Sequence, residues 1–427
     1  MIEDDEAVDH RRSVKDPQPR HEVGLMDGDL HAGSSTSPFV RPQSSSSRVV
    51  LIDRLRYRPP LTFGAVPTRR SAKRRCTVAR PRACWARVPY DRKRPMDIRG
   101  KKFVVIGGAG LIGSHTVEAL TREDVGEIVV YDNFARGSME NLATALTDDR
   151  VKVFPDGGDI CQTDVLTAAL RGAHGVFHFA ALWLLQCYEY PRAAFDVNIR
   201  GTFNVLEACI AHDVGRLVYS SSASVYGDAV EEPMTEDHPF NFANFYGATK
   251  VAGEAMARSL HERYGLDYVG LRYMNVYGPR QDYQGAYIAV IMKMLDAIDN
   301  GEPVVLFGDG SQAYDFVYVG DCGEANVCAM KASTTDRFYN VGTGVRTSLQ
   351  ELAELVLKVT GSDVGIRYEP AGLTFVKNRI GSPDRATAEI GFTATVPLED
   401  GLRALIEWRR DHKREVDERR ARALIAE

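Results

Sequence analysis

A run of glycines directly after an apolar, β-branched stretch constrains the fold of this chain more than any other feature. Residues 103–106 read Phe-Val-Val-Ile, which is typical of a strand buried on both faces of a parallel sheet. The turn Gly-Gly-Ala-Gly-Leu-Ile-Gly at residues 107–113 follows at once and leads into a helix predicted for residues 114–121. Such a turn aims free backbone N–H groups and a helix dipole at an anion, and glycines let a pyrophosphate approach the backbone. The sequence therefore predicts a dinucleotide site at Gly107, Gly110, Leu111, Ile112 and Gly113.

The next predicted strand ends in an acidic residue, Asp132, about 20 residues past the turn. A carboxylate at this place accepts hydrogen bonds from a ribose 2′-hydroxyl and repels a 2′-phosphate, which favours NAD. Arg136 lies close enough in sequence to weaken that preference, so NADP stays open as an alternative. Further predicted strand ends add six residues to the expected cofactor site: Asn133, Asp159, Ile160, Phe179, Ala180 and Ala181.

A tyrosine and a lysine four residues apart, Tyr246 and Lys250, follow a serine run at residues 220–222. On a helix the two side chains share a face. There the ammonium and a positively charged nicotinamide would lower the pKa of the phenol, which is about 10 when unperturbed. Such a phenol can take a proton from an alcohol as hydride leaves the same carbon, and Ser222 would hydrogen-bond the reacting oxygen. We therefore predict Ser222, Tyr246 and Lys250 as catalytic residues, the last two also contacting the cofactor; the alternative is an ordinary aromatic residue on an amphipathic helix.

Composition excludes several classes of protein. The chain is 44% hydrophobic and 26% charged, as is ordinary for a soluble globular protein, and its net charge of −5 gives no global basic field to attract nucleic acid. No apolar run approaches the ~18 residues that span a bilayer. Its seven cysteines lack the spacing of metal ligands or disulfides, which suits a reducing compartment. We expect a cytoplasmic protein with no metal, no nucleic-acid partner and no membrane partner.

Strand and helix patterns alternate from residue 101 onward, which predicts an α/β fold with a doubly wound, Rossmann-like parallel sheet and a smaller mixed C-terminal lobe. We assign residues 96–278 to the NAD-binding domain, 279–409 mainly to the substrate-binding lobe and 410–427 to a charged C-terminal helix. Residues 1–95 are rich in Arg, Pro and Ser without an apolar period, and we expect a disordered extension. Met96, just before the first strand, is an alternative start.

Taken in order, these motifs resemble the extended short-chain dehydrogenase/reductase superfamily, in its nucleotide-sugar epimerase/dehydratase branch, which includes UDP-glucose 4-epimerase-like proteins. The resemblance runs from about Lys101 to about Arg409. It rests also on residues 132–134, 158–160, 178–181, 198–202, 271–280 and 308–312. It implies NAD as cofactor, a nucleotide-sugar substrate, and a homodimer paired through helices predicted at 202–212 and 246–264. It also implies a cofactor contact at Met274 and substrate contacts at Ser222, Asn275, Phe307, Tyr314 and Arg379.

Departures from the family pattern bear on the reaction. Family members commonly carry an Arg that binds diphosphate where this chain has Tyr314, and a small polar stretch where it has residues 182–187. Ala223 and Ser224 stand where dehydratases place Asp-Glu, and Ser224 also replaces the Glu of decarboxylating relatives. The resemblance therefore implies an NAD-dependent epimerase of a nucleotide sugar, acting at C4 through a transient 4-keto intermediate. The alternatives are an NAD(P)-dependent sugar or alcohol dehydrogenase/reductase, favoured by Tyr314 and Trp183, and a non-catalytic NAD-binding sensor.

Overall fold

The computed structural model describes residues 95–281, 290–370, 376–415 and 418. Its strands are β1 (Lys102–Ile106), β2 (Glu127–Tyr131), β3 (Val151–Val153), β4 (Gly175–His178), β5 (Arg216–Ser222), β6 (Tyr268–Tyr273), β7 (Asn275–Tyr277), β8 (Val304–Phe307), β9 (Ala313–Tyr314), β10 (Phe316–Tyr318), β11 (Arg337–Val341), β12 (Thr347–Ser348), β13 (Ile366–Glu369) and β14 (Asn378–Arg379). Its α-helices are α1 (Leu111–Thr121), α2 (Thr163–Ala169), α3 (Leu184–Glu189), α4 (Pro191–Ala194), α5 (Thr202–Ala211), α6 (Phe245–Tyr264), α7 (Val290–Asp299), α8 (Val319–Lys331), α9 (Leu349–Thr360), α10 (Asp384–Ile390) and α11 (Leu398–Asp411). A π-helical stretch, Phe195–Gly201, joins α4 to α5.

The main sheet has seven parallel strands in the order β11-β6-β5-β4-β1-β2-β3, which confirms the predicted doubly wound architecture. Side chains alternate along β1 into two separate cores: Phe103 and Val105 pack on one face of the sheet, Val104 and Ile106 on the other. Strand order reverses between β1 and β4. In open α/β sheets a crevice forms at that point, beyond the carboxyl ends of the strands, and ligands bind there.

A smaller lobe is built from short strand pairs and three helices. β8 pairs with β13, β7 with β10, and β9 lies between β12 and β14. Its core is formed by apolar side chains from α7, α9 and α11, among them Ile291, Leu295, Leu352, Val356 and Leu402.

The main sheet crosses the sequence boundary that we placed at residue 278. Its seventh strand, β11, comes from the range assigned mainly to the substrate lobe, and α8 from the same range packs against α1. The predicted extension at 1–95 lies outside the described residues except for Pro95, as does most of the predicted charged helix at 410–427. Within the part of the chain that the structure describes, no helix is long and apolar enough to cross a membrane.

Candidate active site

A cleft with a volume of about 460 Å³ opens at the carboxyl ends of the central strands of the main sheet. It contains every predicted cofactor residue except Met274: Gly107, Gly110, Leu111, Ile112, Gly113, Asp132, Asn133, Asp159, Ile160, Phe179, Ala180, Ala181, Tyr246 and Lys250. Met274 lies instead in the core, with 6% of its surface exposed, and packs beside Gly381. Its contact with the cofactor stays a prediction.

The glycine turn is packed too closely to carry side chains. Gly107 has φ +78°, and a Cβ on Gly113 would overlap the Gly107 carbonyl oxygen. Helix α1 begins at Leu111 rather than at residue 114, and no side chain caps its first turn, because Gly110 is the N-cap residue. The uncapped N–H groups and the helix dipole therefore face the cleft, an arrangement that suits a pyrophosphate.

Asp132 ties the glycine turn to the loop after β2. Its carboxylate accepts hydrogen bonds from the backbone N–H groups of Ala109, at 2.9 Å, and Phe134, at 2.8 Å. Burial raises the pKa of Asp132, and these two hydrogen bonds oppose the rise. A carboxylate has about four lone-pair sites, so acceptor capacity remains for a ribose hydroxyl.

Helix α6 carries both Tyr246 and Lys250, and its start is set by a cap. The Asn244 side chain accepts a hydrogen bond from the backbone N–H of Gly247 at 2.8 Å, which begins the helix one residue before Tyr246. One turn later the buried Lys250 ammonium donates to the Ser220 carbonyl at 2.7 Å. Burial lowers the pKa of Lys250 to about 8, against the partial opposition of Cys187 and Glu254.

Burial acts on the Tyr246 phenol in the direction opposite to the predicted effect of the two cations. Burial raises its pKa to about 12, while a hydrogen bond with Ser222 and the charges of Arg136 and Arg379 act in the opposite direction. The expectation that Lys250 and a bound, positively charged nicotinamide together lower this pKa stays a prediction. The Lys250 ammonium lies 5.6 Å from the centre of the Tyr246 ring and donates its hydrogen bond to the Ser220 carbonyl. Its effect on the phenol is therefore smaller than the effect of removing the phenol from water.

A buried amide holds the loop after β4 against α6. Asn198, in the π-helical stretch, accepts a hydrogen bond from the Leu182 backbone N–H at 2.7 Å and donates to the Leu182 carbonyl at 2.9 Å. The same amide donates to the Thr249 hydroxyl at 3.2 Å. π-Helical insertions are frequent at functional sites. Here the insertion fixes the wall that faces Tyr246.

The predicted substrate residues lie outside the cofactor cleft as the described residues define it. Ser222 ends β5, where its hydroxyl accepts from the Ser224 N–H at 3.1 Å and contacts Tyr246. Asn275 begins β7 and its backbone N–H donates to the Asp315 carbonyl at 2.9 Å. Phe307 ends β8 and is 57% exposed.

Tyr314 and Arg379 are neighbours on paired strands, β9 and β14. The Tyr314 hydroxyl donates to the Val376 carbonyl at 2.8 Å. Nε and Nη2 of Arg379 are buried and have no hydrogen-bond partner among the described residues. Burial lowers the pKa of Arg379, and Tyr314, Asp228 and Tyr246 oppose that effect, so the guanidinium lies within electrostatic range of the predicted catalytic phenol.

The sequence model of the NAD-dependent epimerase/dehydratase family matches residues 103–342, more than half of this chain. The chain belongs to that family. A putative UDP-glucose 4-epimerase from Methanocaldococcus jannaschii is 32% identical over 321 residues, which cover 73% of this chain and 99% of that protein.

Solved structures of the NAD-dependent epimerase/dehydratase family have the same fold. A UDP-N-acetylglucosamine 4-epimerase from Methanobrevibacter ruminantium, in complex with UDP-N-acetylmuramic acid, aligns with a TM-score of 0.69 at 33% identity, over 74% of this chain and 99% of that one. A dTDP-glucose 4,6-dehydratase from Streptomyces venezuelae, solved with NAD bound, aligns with a TM-score of 0.67 at 27% identity, over 74% and 98%. The predicted family and the predicted cofactor are both confirmed.

Four residues that line the cleft were not predicted from the sequence as parts of it. The Arg136 guanidinium carbon lies 4.8 Å from the centre of the Trp183 ring, so the loops after β2 and β4 meet across the cleft. Arg136 had entered only as a possible partner for a 2′-phosphate, and Trp183 only as a departure from the family. Gln281 and Trp408 also line the cleft. No local motif marks them, because they reach it through the packing of distant segments.

Proposed function

We propose that this protein is an NAD-dependent nucleotide-sugar epimerase that acts at C4. One observation carries the proposal: Tyr246 lies half-buried in the lining of the cleft, in contact with Ser222 and one helical turn from Lys250. Ala223 and Ser224, which follow Ser222 in a short helical turn, supply no carboxylate for elimination. The site thus has the groups for reversible oxidation of an alcohol, and it lacks the acidic pair that dehydratases of this family commonly carry.

The glycine turn and the residues after β2 would hold the two halves of NAD. The first turn of α1 would hold the pyrophosphate, Asp132 would accept a hydrogen bond from the adenosine ribose, and Ala180 and Ala181 would face the nicotinamide half. When bound, NAD supplies the hydride acceptor and donor for the sugar carbon. The protein's part is to orient that carbon and move a proton.

Tyr246 is the group that exchanges the proton. Its oxygen would take the proton of the C4 hydroxyl and later return it, with Ser222 hydrogen-bonded to the same sugar oxygen. Burial raises the Tyr246 pKa to about 12 against the Ser222 hydrogen bond and the charges of Arg136 and Arg379, so the phenol depends on further positive charge. The positive ring of oxidised NAD would supply it, beside the ammonium of Lys250.

Arg379 is our candidate for the anion-binding residue of the substrate site. A buried guanidinium with unpartnered nitrogens is costly unless a ligand anion completes its hydrogen bonds. The family members solved with nucleotide sugars have ligands with a diphosphate, which has the right charge and geometry for a bidentate contact. Tyr314, in place of a second Arg, offers one neutral donor and no charge.

The decisive experiment is a panel of UDP-glucose, UDP-N-acetylglucosamine, UDP-glucuronate and dTDP-glucose, incubated with the purified full chain and NAD and followed by NMR. We expect at least one of them to approach an equilibrium of C4 epimers with no net rise in absorbance at the wavelength of NADH. Stoichiometric NADH would instead support the dehydrogenase alternative, which the aromatic wall at Trp183 and the neutral Tyr314 favour. Retention of NAD without any conversion would favour the sensor.

We also propose a homodimer that pairs through α5 and α6. Val205 and Leu206 are buried in the protein's own core, whereas Phe203 on α5 and Tyr264 on α6 are exposed. Exposed aromatic residues on adjacent helices suit a two-fold contact with a second copy. Light scattering at micromolar concentration should give twice the chain mass, and Phe203→Glu should shift it toward the monomer. A wild-type monomer would overturn this proposal.

A further inference from the structure

Three consecutive serines of β5 each contact a different turn of α6. Ser222 is hydrogen-bonded with Tyr246, the Ser220 carbonyl accepts from Lys250, and the Ser221 hydroxyl donates to a Glu254 carboxylate oxygen at 2.6 Å. Tyr246, Lys250 and Glu254 are spaced four residues apart, so they lie along one face of the helix. The third contact has no part in the reaction described above.

Glu254 is the deepest member of this face and is held by a buried cation. Arg272 on β6 donates to one carboxylate oxygen through Nε, at 2.9 Å, and to the other through Nη2, at 2.7 Å. Both side chains are 5% exposed. The guanidinium also donates to the Tyr226 hydroxyl and the Glu236 carbonyl, both at 2.9 Å. Three donors therefore hold one buried carboxyl group, two of them from a guanidinium in a bidentate contact.

We propose that Glu254, fixed by Arg272 and Ser221, is a positioning residue of the active site that keeps Lys250 protonated and holds the catalytic helix in register with the serine strand. This proposal rests on the proposed function for its catalytic consequence. Glu254 touches neither the cleft nor, on this account, the substrate, and it acts through Lys250 one helical turn away.

The surroundings of Lys250 explain why one carboxylate matters. His178 on β4, Cys187 on α3, Tyr219 on β5 and Tyr246 on α6 all lie near the ammonium. Burial lowers the pKa of His178 to about 3 and raises those of Cys187 and Tyr246 to about 11 and 12, and it raises the Tyr219 pKa further. These four groups are therefore neutral at pH 7. Glu254 is the acidic residue that acts on the Lys250 ammonium, and it raises the pKa of that group.

A second buried ion pair gives a matched control on the same two strands. Arg216 begins β5, and its guanidinium contacts the carboxylate of Asp267, just before β6, at 3.0 and 3.3 Å. Their side chains are 1% and 2% exposed. This pair lies at the end of the strands away from the serine run. Its loss should cost stability without reaching Lys250.

The test compares Glu254→Gln with Asp267→Asn in the full chain. Lysine labelled with 13C at Cε would be titrated by NMR without substrate, with Lys250→Met to assign the signal, and the alkaline limb of turnover would be measured beside it. Removal of the neighbouring negative charge should move the Lys250 midpoint and the alkaline limb down by roughly 1 pH unit. Asp267→Asn should lower the melting temperature and leave both midpoints in place.

A second variant, Glu254→Asp, keeps the test valid if Glu254→Gln fails to fold. Glu254→Asp keeps the charge but withdraws it by one methylene, and should give a smaller shift in the same direction. The proposal is overturned if Glu254→Gln or Glu254→Asp lowers the melting temperature while the Lys250 midpoint stays at its wild-type value. Because the titration needs no substrate, it decides this point even if no sugar of the panel is converted, an outcome that would count against the proposed function alone.

Discussion

The cleft and the smaller lobe carry the groups that we propose to bind anions, and these groups differ in kind. In the cleft, the groups expected to face the pyrophosphate are backbone N–H groups and a helix end. Asp132 accepts hydrogen bonds there from two backbone N–H groups. In the smaller lobe, the proposed group is the buried guanidinium of Arg379, two of whose nitrogens have no hydrogen-bond partner among the residues that the structure describes. A site of oriented dipoles is complete before its ligand arrives. A buried charge without a partner is costly until an anion pairs with it, so on our proposal substrate binding would also raise the stability of the protein.

The largest effect should come from Tyr246, which lines the cleft and also lies within electrostatic range of Arg379. Tyr246→Phe removes only the ionisable oxygen and should lower turnover by at least ~100-fold, because the acid/base group is lost. NAD binding and nucleotide-sugar binding, measured by calorimetry, should stay close to wild type, since neither region loses a charge. Turnover near the wild-type rate would refute the assignment of Tyr246.

The second variant tests the buried charge directly. Arg379→Met keeps the side chain's bulk and should weaken nucleotide-sugar binding by roughly 10-fold or more, the effect of losing a charge-assisted hydrogen bond of about 1.5–3 kcal/mol. The same change should raise the melting temperature of the ligand-free protein, because an unpaired buried charge is removed. A lower melting temperature would contradict this prediction, because it would mean that Arg379 stabilises the ligand-free protein.

The matching change in the cleft is Asp132→Ala, for which we expect an effect of similar or smaller size. It should weaken NAD binding by about 10-fold and relax selectivity against NADP, because the acceptor for the 2′-hydroxyl is lost. It should also lower the melting temperature, since Asp132 holds the glycine turn through Ala109. Titrations with unchanged affinities for both dinucleotides would exclude Asp132 as the ribose ligand.

The smallest expected effect concerns Tyr314. Tyr314→Arg should tighten UDP-sugar binding several-fold, since a charged donor contributes about twice as much as a neutral one. The gain is limited by the nearby Arg379, with which a second cation would compete. Tyr314→Phe is the control, and it removes only the bond to the Val376 carbonyl. Equal UDP-sugar affinity in wild type and Tyr314→Arg would place position 314 away from the diphosphate.

The difference between the regions also explains what the sequence could predict. The glycine turn, Asp132 and Ala180 each follow a strand directly, and parallel strands bring their carboxyl ends to one edge, so local patterns were enough. Helix α9 begins at Leu349, behind the Ser348–Glu351 capping box, which is likewise a local pattern.

Other features depend on packing that no local pattern encodes. Trp408 reaches the cleft from the C-terminal helix, and the pKa of Tyr246 rises because loops from several elements bury it. The seventh strand of the sheet comes from beyond the boundary drawn at residue 278. The roles of the individual site residues remain predictions, and the variants above are their tests.

The central claim is that hydride leaves C4 of a nucleotide sugar and returns to the same carbon within one site. The most direct measurement uses the nucleotide sugar of the panel that the enzyme converts, deuterated at C4, with the full chain and NAD in ordinary water. The account predicts that the C4 epimer keeps its deuterium, observed by NMR and mass spectrometry, and that no NADH accumulates. Replacement of the deuterium by hydrogen from solvent, or deuterium lost to a growing pool of reduced cofactor, would contradict it.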